Sequence, residues 1–229
     1  MKKKVLICAM LLLSSCLLFA CGTSKKIDIA NYTIEERNHL FSAQDEIYSL
    51  TLSTGLREKD YALDGIKNEM VDFSILSLTK LNGEPLSNDT YTYVLTINEE
   101  THTGYLEKSE IDNSYNIDLG LKVSADDTIN AKIAFTGYCF ENTMTNVSQD
   151  FTVNKQQALE TANKELKKEI KDITADKNNK IETVIKIVKD YSTSEVKRYY
   201  WYVGVVSNNG DTLGILIDTN TGDVIAKKV

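Results

Sequence analysis

Apolar and polar residues alternate along much of this chain, and this alternation constrains the fold more than any other feature. Residues 91–97, 115–123 and 129–135 each place apolar side chains at every second position. A period of two is typical of a β-strand with one covered face. The Asn82-Gly83 pair favours a tight turn between two such strands. Several short strands with turns between them predict an antiparallel β-sandwich-like domain, with an immunoglobulin-like topology as one option.

One early stretch has a different signature. Thr33 followed three residues later by Glu36 forms a capping-box pattern, which marks the start of many helices. We therefore expect a short helix over about residues 34–46, ahead of the strands.

The last third of the chain predicts a helix and a small sheet. Asn154 and Gln157 form a second capping-box pattern. Apolar residues then recur every four positions, as one face of a helix requires, at Ala158, Ala162, Leu166 and Ile170. Strand-like segments follow near 182–191, 198–206, 212–218 and 222–228. The predicted class is α+β, mostly β, with a helix packed on an antiparallel sheet at the carboxyl end.

Charge is distributed unevenly and changes at the same place as the periodicity. Residues 22–150 carry 10 Lys/Arg and 22 Asp/Glu, a net charge of −12. Residues 151–229 carry 13 Lys/Arg and 11 Asp/Glu, a net charge of +2. We therefore predict an acidic domain over residues 33–150 and a second domain over 151–229. An acidic body is repelled by nucleic acid, which is excluded as an expected partner.

The amino-terminal segment predicts export and lipid attachment. Lysines 2–4 precede an apolar run over residues 5–20, as in secretory signal peptides. The sequence LFAC, ending at Cys21, resembles the lipobox of bacterial lipoproteins. The resemblance implies a signal peptide over 1–20, lipidation of Cys21, a tether over 21–32, and a location on the extracytoplasmic face of the cell membrane. Processing at Cys16 and an uncleaved membrane anchor are the alternatives.

Cysteine usage agrees with this assignment. Two of the four cysteines, Cys8 and Cys16, lie within the leader, and Cys21 follows it. Only Cys139 remains, so the mature chain has no intramolecular disulfide and must be held by its core. Cys139 lies among apolar and aromatic residues, and we expect a buried, unreactive thiol.

The segment Asp218 to Asp223 has the alternating oxygen-bearing residues of a calcium loop. A calcium loop of the EF type needs glycine at its sixth position and a bidentate Glu at its twelfth. Counted from Asp218, Gly222 stands at the fifth position and Val229 at the twelfth. We therefore predict a hairpin with Gly222 at positive φ, no calcium and no other metal. The exposed residues of this hairpin are candidate partner contacts, namely Asp218, Asn220, Thr221, Gly222 and Asp223.

Three elements of the last third together resemble the PepSY domain family. They are the paired alanines of the helix, the Tyr202-Val203 pair and the closing turn, at Ala158, Ala162, Tyr202, Val203, Asp218, Thr221, Gly222 and Val224. The resemblance covers roughly residues 150–229. It implies an extracytoplasmic, non-catalytic domain of a kind often attached to peptidases, with an inhibitory or regulatory role.

The sequence offers little support for catalysis. There are two histidines, His39 and His102, and neither belongs to a nucleophile or zinc motif. We therefore predict no enzyme activity, no cofactor, and a binding or regulatory role towards an envelope peptidase or another envelope protein. A hydrolase using two carboxylates is one alternative, since such pairs meet only in the fold. A glycan-binding module is another, with Tyr91, Tyr93 or Trp201 as the aromatic platform.

The lipid-anchor assignment predicts the outcome of metabolic labelling. Radiolabelled palmitate should enter the wild-type protein and the Cys16→Ala variant, and should not enter Cys21→Ala. Because acyl chains anchor a protein by burying their methylenes, Cys21→Ala should also leave the membrane fraction. Undiminished labelling of Cys21→Ala would show that another residue carries the lipid.

Overall fold

The computed structural model describes residues 27–190 and 198–229. The leader and Cys21 lie outside these residues. The described part contains twelve strands, β1 (Thr33–Gln44), β2 (Tyr48–Glu58), β3 (Met70–Lys80), β4 (Tyr91–Ile97), β5 (Glu100–Lys108), β6 (Tyr115–Asp118), β7 (Ile129–Phe135), β8 (Tyr138–Asn146), β9 (Ile181–Lys189), β10 (Tyr199–Ser207), β11 (Thr212–Asp218) and β12 (Val224–Lys228). It also contains two helices, α1 (Lys155–Glu165) and α2 (Lys167–Ile173), and two 3-10 turns, Ile29–Tyr32 and Val147–Asp150.

The first eight strands form a closed antiparallel barrel. Their order around the barrel is β1-β2-β3-β6-β5-β4-β7-β8, and β8 pairs back to β1. Because side chains alternate along each strand, every second residue points inward and fills the interior. The buried interior residues include Phe41, Leu50, Leu52, Leu76, Leu78, Tyr91, Leu95, Ile129, Ile133 and Phe140. Cys139 is the single cysteine among the described residues, so the packed interior, and not a disulfide between them, stabilises the barrel.

The last four strands extend the barrel wall as a wing. β9 pairs in parallel with β1, and β10, β11 and β12 follow outward in antiparallel order. α1 begins at the predicted capping box, in which Asn154 and Gln157 each bond the other's backbone amide. One face of the helices and one face of the wing share a second core, which includes Ala158, Ala162, Leu166, Ile185, Trp201, Val203 and Ile215. No helix among the described residues has the length and apolar character needed to cross a bilayer.

The predicted fold class is therefore wrong. Residues 33–150 form a closed barrel instead of a sandwich, because the pairing of β8 with β1 removes the two free edges that a sandwich would keep. Residues 151–229 do not form a separate PepSY-like helix-on-sheet domain, because β9 joins their strands to the barrel sheet. Residue 150, the proposed boundary, ends the 3-10 turn Val147–Asp150 between β8 and α1, and the strands on either side of it belong to one hydrogen-bonded sheet through the β1–β9 pairing.

Two local predictions also fail. The helix expected over 34–46 is the strand β1, which pairs with β2 along its length and lines the interior with Phe41 and Ala43. This tertiary pairing overrides the capping-box signal at its start. Cys139 is exposed, because it alternates with the inward-facing Phe140 and therefore lies on the outer surface of β8.

The shared sheet predicts that barrel and wing unfold together. Ile185 lies on β9, is fully buried, and is paired with Glu36 of β1 in the parallel ladder. Ile185→Ala should lower the free energy of unfolding by roughly 2–5 kcal/mol. Trp201 fluorescence should report unfolding of the wing, and far-UV circular dichroism should report mostly unfolding of the barrel. The urea midpoints measured with the two probes should fall to the same lower value.

Ile111→Ala is the matched control, since Ile111 is 97% exposed and should leave both midpoints unchanged. Two separated transitions in Ile185→Ala, with only the fluorescence midpoint lowered, would contradict the shared-sheet prediction.

Candidate functional site

Strand β1 divides one of its edges between two partners. Residues 33–36 pair with β9, and Phe41 and Ser42 pair with β8. Between these two pairings, residues 37–40 face no strand on that edge within the described sheet. The wall therefore opens at this point, between the barrel and the wing.

A β-bulge in β1 places the side chains of Asn38 and His39 at this opening. Arg37 stands opposite Gly55 and His39 opposite Thr54, so Asn38 is the extra residue of the bulge. A bulge bends its strand and re-aims the neighbouring side chains, which is why bulges often adjoin functional sites. Gly55 permits this geometry, because a Cβ at Gly55 would lie 1.8 Å from the carbonyl oxygen of Glu36. No larger residue fits there without moving β1.

Two hollows flank the bulge, and we call the space they form together the His39 cleft. The first has a volume of about 400 Å³ and lies between β1 and residues 148–155, with Trp201 in its wall. The second also has a volume of about 400 Å³ and lies between β1 and residues 122–125. Asn38, His39 and Ala125 line both hollows. The cleft is thus large enough for several residues of a ligand and centres on one imidazole.

Polar contacts fix the walls of the cleft. The Lys155 ammonium, in the first turn of α1, donates to Glu36 Oε2 at 2.8 Å and to Asn38 Oδ1 at 2.8 Å. The Trp201 indole N–H donates to the carbonyl oxygen of Val153 at 2.7 Å. These bonds join β1 of the barrel to the helix and the wing, so the cleft is held by both halves of the chain.

The surroundings of the His39 imidazole favour its neutral form. Burial lowers the pKa of His39 below its ordinary value of 6.5, and the nearby Lys155 charge lowers this pKa further, while Asp126 opposes the shift. Among the described residues, no side chain or backbone group forms a hydrogen bond with the imidazole. His39 therefore offers a ligand one donor and one acceptor.

The carboxyl-terminal hairpin forms as predicted. Gly222 has φ of +79°, and its amide donates to the Asp218 carbonyl at 3.0 Å. The Asp218 carboxylate accepts from the amides of Asn220 at 2.8 Å and Thr221 at 3.0 Å, and these bonds lower the pKa of Asp218. The amide of Asp218 donates in turn to the carbonyl of Asp223 at 2.9 Å, which closes the turn. The Asp218 side chain is thus occupied by its own turn.

The hairpin borders the cleft without entering it. The Val153 amide donates to the Thr219 carbonyl at 2.9 Å, and Val153 lines the first hollow. A Cβ at Gly222 would lie 3.5 Å from the Val153 side chain. The hairpin therefore contacts the cleft wall through Val153, while its residues Asn220 and Thr221 are exposed and do not line the cleft.

Other residues named from the sequence are placed elsewhere. Tyr91, Tyr93 and Trp201 are at most 8% exposed, so none of them provides the open aromatic platform that glycan binding would use. Cys21 lies outside the described residues. No group of three or more His, Cys, Asp or Glu side chains within 27–190 and 198–229 is arranged to hold a metal.

The central residues of the cleft were missed by the sequence analysis. No sequence motif marks Asn38 or His39, and Lys155 is far from both in the sequence. The bulge and the fold bring the three residues together. The one relevant sequence signal is the capping box at Asn154, which places Lys155 at the start of α1. Comparison of the chain with protein-family models, curated proteins and solved structures finds no match of significance in any of the three.

The electrostatics of the cleft predict two opposite shifts at His39. Lys155→Met removes a neighbouring positive charge and should raise the pKa of His39, whereas Asp126→Asn removes a negative charge and should lower it. Imidazole NMR titration measures both. Shifts of the same sign in the two variants would contradict the proposed environment.

The same lowered pKa has a consequence for stability. Below about pH 6.5 the unfolded chain takes up a proton at this histidine before the folded chain does, so acid destabilises the fold. As the pH falls from 6.5 to the folded-state pKa of His39, the His39→Gln variant should therefore lose less free energy of unfolding than the wild type. Urea midpoints at several pH values measure this difference.

Proposed function

We propose that this protein is a non-catalytic binding protein of the cell envelope, and that the His39 cleft receives an extended segment of another envelope polypeptide. The observation that carries the proposal is the stretch of β1 over residues 37–40 that has no strand partner on one edge, and two of its residues, Asn38 and His39, line the cleft. Unpaired strand edges bind extended peptides through main-chain hydrogen bonds, and adjacent hollows accept alternate side chains.

The chemistry of the cleft suits a polypeptide. Amide groups of Asn38 and Gln149 line it beside the aromatic ring of Phe151, and the neutral His39 adds a donor and an acceptor. Main-chain amides and carbonyls need both kinds of partner. No nucleophile lies within hydrogen-bond distance of His39 among the described residues, which favours binding over acyl transfer.

The amino terminus supports a position close to the membrane. Ile29, within the segment predicted as tether, is fully buried in the second core. If Cys21 carries the lipid, residues 22–28 separate it from the buried Ile29. A chain of this length spans at most about 30 Å. The cleft would then meet partners that are themselves at or near the membrane.

The partner belongs to the envelope because the predicted lipid anchor would hold this chain there. An envelope peptidase, whose activity this protein would modulate by holding one of its segments, is one partner of this class. Deleting residues 151–229 is a poor test, because deletion would expose the edge of β1 that β9 covers. Point substitutions in the intact chain are needed.

Site-specific photo-crosslinking in living cells tests the proposal. A photoreactive phenylalanine analogue in place of Gln149, which lines the first hollow, should yield a protein adduct at the membrane. The same analogue in place of the fully exposed Ile111 is the matched control and should not yield that adduct. Adding His39→Trp, which fills the cleft, should reduce the Gln149 adduct at least about tenfold, as expected when a central contact is lost. An adduct unaffected by His39→Trp would contradict the assignment of the cleft.

A further inference from the structure

Four exposed lysines lie on the outward side of the two helices, and we call this surface the lysine face. Its members are Lys164 in α1 and Lys167, Lys168 and Lys171 in α2. Residues three and four positions apart are neighbours on a helix surface. The helical hydrogen bonds continue across the junction of α1 and α2, where the Ile170 amide donates to the Leu166 carbonyl at 2.9 Å. The opposite side of the helices is buried in the second core.

Most of the lysine face has no ionic partner. Lys164 Nζ lies 3.8 Å from a carboxylate oxygen of Glu165, and this pair is exposed. Lys167, Lys168 and Lys171 form no ion pair with any residue in the part of the chain that the structure describes. Their charges are therefore available to an external anion.

The acidic residues of the helices weaken this charge without cancelling it. Glu160 lies on the same side, one turn before the lysine face begins. Glu165 and Asp172 lie on the flanks, because consecutive residues of a helix point about 100° apart. The Glu169 carboxylate is turned towards the wing, where it accepts from Lys227 Nζ at 3.2 Å. The outward side of the helices therefore keeps a net positive charge.

The amino-terminal segment enters the fold beside the lysine face. The Ile29 amide donates to Asn163 Oδ1 at 3.5 Å, and Ile27 packs against the second core. Asn163 lies one turn before Lys167 on the helix surface. A chain anchored at Cys21 would thus hold this side of the protein within about 30 Å of the bilayer.

We propose that the lysine face docks on the anionic phospholipid headgroups of the membrane and so fixes the direction in which the His39 cleft faces. Docking presupposes the proposed position at the membrane, but no particular ligand of the cleft. Lysines close to an anionic bilayer are attracted to it, and this attraction falls off within a Debye length of about 8–10 Å. Residues 22–150, with a net charge of −12, are repelled by the same surface. Attraction and repulsion therefore turn the chain in the same sense.

Docking would hold the cleft close to the bilayer. The lysine face runs along the side of the helices, so a docked chain has its helix axis roughly along the membrane surface. Lys155, in the wall of the cleft, is at the start of α1 and lies about 18 Å from Lys167 along this axis. The cleft would then be accessible to segments of partners that are themselves embedded in the same membrane.

Amine footprinting on vesicles tests the docking. The mature chain, with Cys139→Ser to remove the exposed thiol, is coupled through Cys21 to a maleimide lipid, so the result does not depend on natural lipidation. A water-soluble acylating reagent should modify the lysine face at least about threefold more slowly on vesicles containing phosphatidylglycerol than on phosphatidylcholine vesicles, because docked ammonium groups are shielded and stay protonated. Lys59, Lys67 and Lys108 are exposed lysines outside the helices and should react equally on both kinds of vesicle.

Lys164 reports on docking when the other three lysines are changed. In the Lys167→Gln/Lys168→Gln/Lys171→Gln variant, Lys164 should react at the same rate on both kinds of vesicle. The matched control changes the three lysines outside the helices to Gln, which removes the same charge, and Lys164 should stay protected in it. About 1 M NaCl, which shortens the Debye length to about 3 Å, should abolish the protection of the wild type.

Equal reactivity of the wild-type lysine face on anionic and neutral vesicles would overturn the docking. So would protection that disappears equally in the triple variant and in its matched control, because total charge and not this face would then be responsible. A failure of Cys21 to incorporate palmitate would remove the natural anchor and leave the vesicle result unchanged, so the two failures are distinguishable.

Discussion

The division of one edge of β1 between β8 and β9 is the constraint on which the rest of the structure depends. A strand edge can pair with only one neighbour at each residue, so two partners must share it end to end. Pairing of residues 41–42 with β8 closes the barrel, and pairing of residues 33–36 with β9 attaches the wing. The gap between the two pairings leaves residues 37–40 of this edge without a strand partner in the described chain, and the bulge at Asn38 lies inside it.

The cleft is consequently a property of the whole chain. Its floor is β1 of the acidic barrel, while its far wall comes from the start of α1 and from Trp201 of the wing. The ion pair of Lys155 with Glu36 crosses this junction, and both side chains are more than two-thirds buried. A partly buried ion pair is weakened less by salt than an exposed one, so it orients the junction even where it contributes little net stability.

Local features of the fold could be predicted from the sequence, whereas its closure could not. The strands of the wing, the capping box at Asn154 and the positive φ of Gly222 follow from periodicity and turn chemistry. Barrel closure depends on β1 meeting β8 across about a hundred residues, and no local pattern encodes that contact. The signal at Thr33 was misleading because pairing on both edges outweighs a helix cap. His39 carried no signal, since its role depends on the bulge.

Amide hydrogen exchange along β1 shows whether this strand holds barrel and wing in one cooperative sheet. If it does, the slowly exchanging amides in residues 33–36 and those at Phe41 and Ser42 should open only with global unfolding and share one opening free energy. Amides of residues 33–36 that exchange through a separate opening of much lower free energy, while Phe41 and Ser42 stay protected, would show that the wing detaches on its own and would contradict the account.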